Sequence, residues 1–223
     1  FDVGCSPPVI ALIENQEIQE DQSDTVNISV YSSTSSEFDF SIHSDDLALS
    51  VFLEDTTLVL LPQENWNGST AIEIIVNDEY DLSDTTDFML TVIPINDSPE
   101  YFNLIYPTIA DTLGISTETD VSHNFFWEAS EDVDSDIIYT TIITLDYFGD
   151  VYTESYESSD SSVSVSGYEW SALMTNLNVQ RWTLEYSVTV SDEEYTIESE
   201  VGEFVFENTS LSIDESITPQ AFN

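Results

Sequence analysis

Short runs of alternating apolar and polar residues dominate the chain, and clusters of Ser, Asp, Asn and Gly separate them. Residues 26–30 (VNISV) and 38–42 (FDFSI) show the alternation. Successive side chains of a β-strand point to opposite faces, so this period of two predicts strands that bury one face. The first half offers about seven such strands in under 100 residues, which predicts an antiparallel β-sandwich. They are predicted at residues 9–13, 25–31, 38–43, 48–53, 57–61, 71–77 and 86–95.

The second half repeats this type of pattern with different spacing. A short helical turn is predicted at 168–177, and the Ser- and Val-alternating segment 158–166 is predicted to be an exposed edge strand. The main strands are predicted at 125–127, 137–145, 181–190 and 200–206. The fold class is therefore all-β, with two tandem antiparallel β-sandwich domains at residues 1–98 and 99–208, and a linker or extended tail at 209–223.

The composition agrees with two folded domains of unusual charge. The chain has 223 residues, of which 41% are hydrophobic, enough for two cores. Its formal net charge is −44, with no Lys and with Arg181 as the one basic residue, so the chain repels itself and needs cations. It cannot neutralise phosphates, so nucleic acids and anionic membrane surfaces are poor partners, and no nucleic acid is expected to bind. No apolar run approaches the ~18 residues of a membrane span, so membrane insertion is not expected.

Residues that carry catalysis or soft-metal chemistry are sparse. Cys5 is the single cysteine, so no intramolecular disulfide can form, and whether it is free or paired with another chain stays open. The two histidines, His43 and His123, have no metal-ligand spacing or catalytic motif around them, which predicts a non-enzyme. Three stretches fit the sequon for N-glycosylation, and chance occurrence in a Ser/Thr-rich chain explains them as well as glycosylation does. They begin at Asn27, Asn67 and Asn208.

Four stretches of the first half carry a family resemblance. They are residues 8–21, residues 58–68 with the specific Asn65-Trp66-Asn67-Gly68, residues 74–84, and residues 88–99 ending in Asn96-Asp97-Ser98-Pro99. In order and spacing they resemble the bacterial cadherin-like tandem repeats of large surface and secreted proteins. The chain departs from that pattern at Ser32–Ser36 and at Cys5-Ser6-Pro7-Pro8, where an Asn-Asp-x-Pro linker is usual. Both departures weaken any cation site at the N-terminal end of the first domain.

The second half resembles a fibronectin type III or related immunoglobulin-like module. The resemblance rests on Trp127 in an early strand and on Trp182 and Tyr186 in a late one, followed by the turn Val190-Ser191-Asp192. The segment 217–223 (ITPQAFN) resembles the lead-in to a C-terminal sorting domain of type IX secretion.

The cadherin-like resemblance implies a calcium site at the junction of the two domains. Calcium takes about six to eight oxygen ligands, and acids recur in the loops that this topology brings to the junction. Carboxylates two residues apart in an extended segment point the same way, so those of the segment 132–136 are predicted to converge. A solvated acidic surface stays the alternative, because 45 of the residues are acidic. The predicted ligands are Glu20, Asp21, Asn96, Asp97, Asp132, Asp134, Asp136 and Asp192, and Asp78, Asp81 and Asp84 form a second acidic turn.

These features predict a non-enzymatic, extracellular structural or adhesive module of a larger secreted or surface protein, stiffened by calcium between its domains. The expected partners are neighbouring domains of the same protein, with other proteins, surface glycans and self-assembly left open. Two alternative functions also stay open. The domains could be accessory modules of a secreted hydrolase, or the chain could be a subunit of an extracellular filament assembled by strand addition.

Overall fold

The computed structural model describes residues 6–210 of the chain. It divides into two compact units, of which unit 1 runs to Ile95 and unit 2 begins at Asn96. Both are built from strands, which confirms the all-β prediction. Cys5 and the segment 211–223, with the predicted type IX lead-in, lie outside the described residues.

Unit 1 contains two sheets and a separate strand pair. One sheet has the order β2-β9-β8-β5 and the other β3-β7-β6, while β1 pairs with β4. All neighbouring strands are antiparallel except β2 and β9, which are parallel. The strands are β1 Val9–Ile10, β2 Gln16–Gln19, β3 Asp24–Asn27, β4 Val30–Tyr31, β5 Phe38–Ser44, β6 Leu49–Glu54, β7 Thr57–Pro62, β8 Gly68–Asp78 and β9 Ser83–Ile93.

The interior of unit 1 is mainly aliphatic. Along β8, burial alternates, and the inward side chains Ile72, Ile74 and Val76 have no solvent exposure. Leu58 and Leu60 on β7 are equally buried. Because each fully buried aliphatic side chain contributes about 1.5–3 kcal/mol, this alternation is what fixes the strand register.

The first predicted strand, at 9–13, is wrong in its extent. The structure has a two-residue β1 that pairs with β4, and a separate β2 that runs parallel to β9 with Gln19 opposite Ile93. The chain therefore changes sheets between residues 10 and 16. The predicted strand 25–31 is likewise divided into β3 and β4. Because the chain changes sheets before β2, Glu20 lies directly after the end of β2 and beside the end of β9.

Unit 2 is also a pair of sheets, with one helix added. The order is β10-β12-β15 in the smaller sheet and β11-β18-β16-β13-β14 in the larger, where β17 also pairs with β16. As in unit 1, an early strand (β11) runs parallel to the last one (β18). The elements are β10 Leu104–Tyr106, β11 Thr112–Ile115, β12 Ser122–Trp127, β13 Ile138–Tyr147, β14 Asp150–Ser158, β15 Ser162–Ser166, α1 Gly167–Asn176, β16 Arg181–Ser191, β17 Thr196–Glu198 and β18 Gly202–Asn208.

Aromatic rings fill the interior of unit 2. Phe204 makes edge-to-face contacts with Phe125, Tyr186 and Phe206, at centroid distances of 5.2, 5.8 and 4.9 Å. Such pairs contribute roughly 0.5–1.5 kcal/mol beyond the area they bury. Trp127 is buried in this interior and contacts the Tyr139 ring.

Helix α1 lies where a helical turn was predicted and covers one side of this aromatic core. It begins after Ser166, whose hydroxyl accepts a hydrogen bond from the Tyr168 N–H and so caps the first turn. Trp170 and Met174, four residues apart on one helix face, are both buried. No helix in residues 6–210 is both long and apolar enough to cross a membrane.

Candidate metal centre

Glu20 is the predicted ligand that unit 1 holds most firmly. Its side chain is only 2% exposed. One carboxylate oxygen accepts a hydrogen bond from the Ile95 N–H at 2.7 Å, and the other accepts one from the Asn67 side-chain amide at 3.2 Å. Because β2 and β9 are parallel, their ends lie side by side and bring residues 20 and 95 together. The carboxylate is therefore fixed at the C-terminal end of unit 1.

Asp21 is anchored by the same loop that holds Glu20. Its backbone is left-handed (φ 60°), and its carboxylate accepts a hydrogen bond from the Asn65 N–H at 2.8 Å. The motif Asn65-Trp66-Asn67-Gly68 thus supports both acids, one through Asn65 and the other through Asn67. Sequence reasoning used this motif only as a family signature and missed its contacts with the acids.

Asn96 organises the corresponding part of unit 2. Its amide donates hydrogen bonds to the Asp192 carboxylate at 2.7 Å and to the Asp97 carbonyl at 3.1 Å. The side-chain oxygen of Asn96, Oδ1, accepts a hydrogen bond from the Ser135 hydroxyl at 2.8 Å. One linker residue therefore joins two acidic loops that are far apart in sequence. Ser135 was not among the predicted site residues, since a serine hydroxyl in a Ser-rich chain gives no signal of its own.

The prediction that the segment 132–136 is extended is wrong, because the chain bends there. One Asp132 oxygen accepts hydrogen bonds from the backbone N–H groups of Asp134 and Ser135, at 3.2 and 2.8 Å. A short acidic side chain that bonds to the backbone two and three residues ahead folds the chain into a turn. Asp136 is consequently exposed and lies at the rim of a surface hollow.

Asp192 is held in its ionised form by several donors. It is 8% exposed, and one of its oxygens accepts the N–H groups of Tyr195 and Glu194 at 2.6 and 2.8 Å. Burial acts to raise the pKa of Asp192. The hydrogen bonds from Tyr195, Asn96 and Glu194 outweigh burial, and the pKa lies below its ordinary value.

Among residues 6–210, two aspartates have a buried oxygen without a hydrogen-bond donor, namely Oδ2 of Asp132 in unit 2 and Oδ2 of Asp78 in unit 1. The other Asp78 oxygen accepts the N–H groups of Tyr80 and Leu82, at 2.9 and 3.0 Å. In the second predicted acidic turn, Asp84 is engaged by the Ile10 N–H at 2.9 Å. A buried carboxylate oxygen that no donor satisfies suits a cation.

The chemistry of these donors selects the class of metal. They are carboxylate and amide oxygens, which are hard ligands that suit calcium or magnesium, whereas zinc sites use cysteine and histidine. Calcium tolerates an irregular arrangement of six to eight oxygens, while magnesium demands a near-octahedral one. The acidic loops are held by hydrogen bonds to their own backbone and are irregular, so they suit calcium better than magnesium.

Comparison with known proteins gives structural likenesses only. No protein-family model matches the chain, and a search of curated proteins gives no match. Among solved structures, extracellular cadherin domains 1–4 of protocadherin gamma B7 align with 90% of this chain at 12% identity and a TM-score of 0.43. This chain spans about half of that structure, covering 49% of it.

Two shorter solved structures align over most of both chains. Domains EC1–2 of human mucin-like protocadherin are 12% identical, with a TM-score of 0.42, over 90% of this chain and 97% of that one. Fibronectin III-like modules of Clostridium thermocellum CbhA are 11% identical, with a TM-score of 0.32, over 89% and 93%. These are the module classes that the sequence resembles, and none supports the type IX lead-in. Since every score is below 0.5, the fold assignment rests on the strand pairing itself.

Proposed function

We propose that this chain is a non-enzymatic, extracellular structural or adhesive module, in which calcium stiffens the junction between unit 1 and unit 2. One observation carries the proposal. The last residue of unit 1, Ile95, is bonded to the Glu20 carboxylate, and the first residue of unit 2, Asn96, is bonded to Asp192 and Ser135. A single peptide bond thus joins two anchored sets of oxygen donors.

An ion that takes ligands from both sets binds only the arrangement in which they meet. Binding then stabilises that arrangement by about 2.7 kcal/mol when the free ion stands at 100 times its dissociation constant. The net charge adds to the effect, because a chain of −44 repels itself and each bound cation reduces that repulsion. The expected result is a two-unit rod that is flexible without calcium and stiff with it.

Calorimetric titration of the chelator-treated 223-residue chain with calcium tests the site. We expect saturable binding that weakens about tenfold or more in Glu20→Gln and in Asp192→Asn, because each loses a charged ligand. Glu157→Gln, which removes the same charge from exposed β14, is the matched control and should bind calcium like the parent chain. Equal weakening in all three variants would show diffuse attraction to an acidic surface and refute the site.

A further inference from the structure

A groove on unit 2 is lined by exposed apolar side chains and by carboxylates. It has a volume of about 660 Å³ and runs beside β10, which lies at the edge of its sheet. Four large apolar side chains that line it are more than half exposed. They are Tyr101 (56%), Ile105 (55%), Ile109 (58%) and Val201 (62%). Apolar side chains gathered in one groove give a ligand a surface on which to pack.

Carboxylates line the same groove without a basic partner. Glu185 on β16 and Glu203 on β18 lie directly opposite one another, both exposed, and Glu200 lies close by. Like charges directly opposite in a sheet are destabilising. Arg181, the one basic side chain of the protein, donates instead to the Thr112 hydroxyl at 3.1 Å. The groove therefore presents a repulsive pair of charges that a cationic ligand would relieve.

A second hollow continues the groove and ends at an exposed aromatic ring. It has a volume of about 400 Å³ and shares Glu185 and Glu203 with the groove, adding Asp146 and Phe148. Phe148 is 86% exposed and has a positive φ of 55°, a conformation unfavourable for a bulky residue. Its ring is braced by edge-to-face contact with Trp182, at a centroid distance of 5.5 Å. A fixed ring beside carboxylates suits the stem and head of a lysine or arginine.

We propose that this surface, the groove together with the hollow, binds an extended protein segment in which Lys or Arg alternates with aliphatic side chains. Its aliphatic groups pack on Ile105, Ile109 and Val201, and its basic groups pair with Glu185 and Glu203. Opposite charges that face one another across such a surface give specificity and speed association.

The charge of this chain excludes the other occupants. A second copy carries the same charge of −44 and has no Lys, and residues 211–223 contain two acids and no base. Nucleic acids and anionic membranes are repelled.

The inference rests on the adhesive part of the proposed function. It does not need calcium, because every residue involved belongs to unit 2.

Fluorescence anisotropy with labelled synthetic peptides tests the proposal on the full chain, in chelator so that calcium plays no part. The probes are ten-residue peptides of alternating Lys-Val, Lys-Ser and Glu-Val. We expect the Lys-Val peptide to bind, the Lys-Ser peptide to bind about tenfold more weakly, and the Glu-Val peptide not to bind. Equal affinity for Lys-Val and Lys-Ser would overturn the proposal, because it would show attraction to charge alone.

Matched double variants locate the binding. Glu185→Gln with Glu203→Gln relieves the repulsive pair, so the protein should stay folded while the Lys-Val peptide binds about tenfold more weakly. Glu154→Gln with Glu157→Gln makes the same change of charge on β14 and should leave binding unchanged. Equal losses in both would contradict the proposal. Since these assays contain chelator and the calcium titration contains no peptide, either result can fail without the other.

Discussion

Unit 1 and unit 2 share a strand layout but differ in what fills it. In each, an early strand runs parallel to the last one, β2 beside β9 and β11 beside β18. The buried residues of unit 1 are mainly Ile, Leu and Val, whereas those of unit 2 include four Phe, two Trp and two Tyr. Alternating apolar positions can therefore be filled by aliphatic side chains in one unit and by aromatic side chains in the other.

The units also differ in the surfaces they offer. In unit 1, the buried acid Glu20 accepts hydrogen bonds from its own unit at both carboxylate oxygens. Unit 2 adds β14 and α1 to the layout and has the groove lined by Ile105, Glu185 and Glu203. Unit 1 therefore offers a fixed, buried carboxylate, whereas unit 2 offers an exposed groove.

Truncating one core residue in each unit should produce the largest effect. Phe204→Ala should destabilise unit 2 by about 3–5 kcal/mol and Leu60→Ala should destabilise unit 1 by about 2–5 kcal/mol. Phe204 should lie at the upper end of its range, because it contacts three other rings. Hydrogen exchange read by mass spectrometry measures protection in each unit. Lost protection in both units from either variant would contradict separate cores.

A smaller effect is expected where the aromatic core meets the backbone of β18. A Cβ at Gly202 would clash with the Tyr186 ring, so Gly202→Ala must displace that ring and should cost about 1–3 kcal/mol. Gly114→Ala is the control, because its Cβ would meet nothing closer than 3.9 Å. Chemical denaturation measures both variants. Equal stability of the two would show that the ring has room to move.

The smallest effect concerns pH and is specific to unit 2. The Tyr186 hydroxyl donates to the Pro107 carbonyl at 2.8 Å. Burial, helped by the charge of Asp111, raises the pKa of Tyr186 to about 12. A raised pKa in the folded state means that stability is full below the ordinary value of about 10 and falls as pH rises towards 12.

Denaturation of unit 2 across that alkaline range measures this dependence. Tyr186→Phe should remove this part of the pH dependence, whereas Tyr168→Phe, at a half-exposed ring, should keep it. An unchanged pH dependence in Tyr186→Phe would assign the loss of stability to other groups.

The long central strands were predictable from sequence, whereas β2 and β14 were not. In β8 from Ile72 to Val76 and in β16 from Leu184 to Val190, every second residue is apolar and buried, so the alternation is visible. In β2, only Ile18 is buried among four residues, and β14 buries none of its side chains fully. Such strands are set by hydrogen bonds to neighbours that are distant in sequence, which local patterns do not encode.

The identities of the candidate ligands could be proposed from sequence, but their geometry could not. The position of Glu20 after an early strand and of Asn96 at the domain boundary followed from residue order. The turn at Asp132 did not follow from residue order. It depends on hydrogen bonds between the Asp132 side chain and the backbone, and these bonds prevent the extended conformation that was predicted. The support from Asn67 and Ser135 is likewise a property of folded loops.

Small-angle X-ray scattering of the 223-residue chain, with calcium and then with chelator, tests the central proposal most directly. We expect calcium to narrow the distribution of distances between the units, and the chelator to broaden it reversibly. Asp192→Asn should give the broad distribution in both conditions, while Glu157→Gln should respond like the parent chain. Superimposable scattering curves with calcium and with chelator would contradict a calcium-stiffened junction.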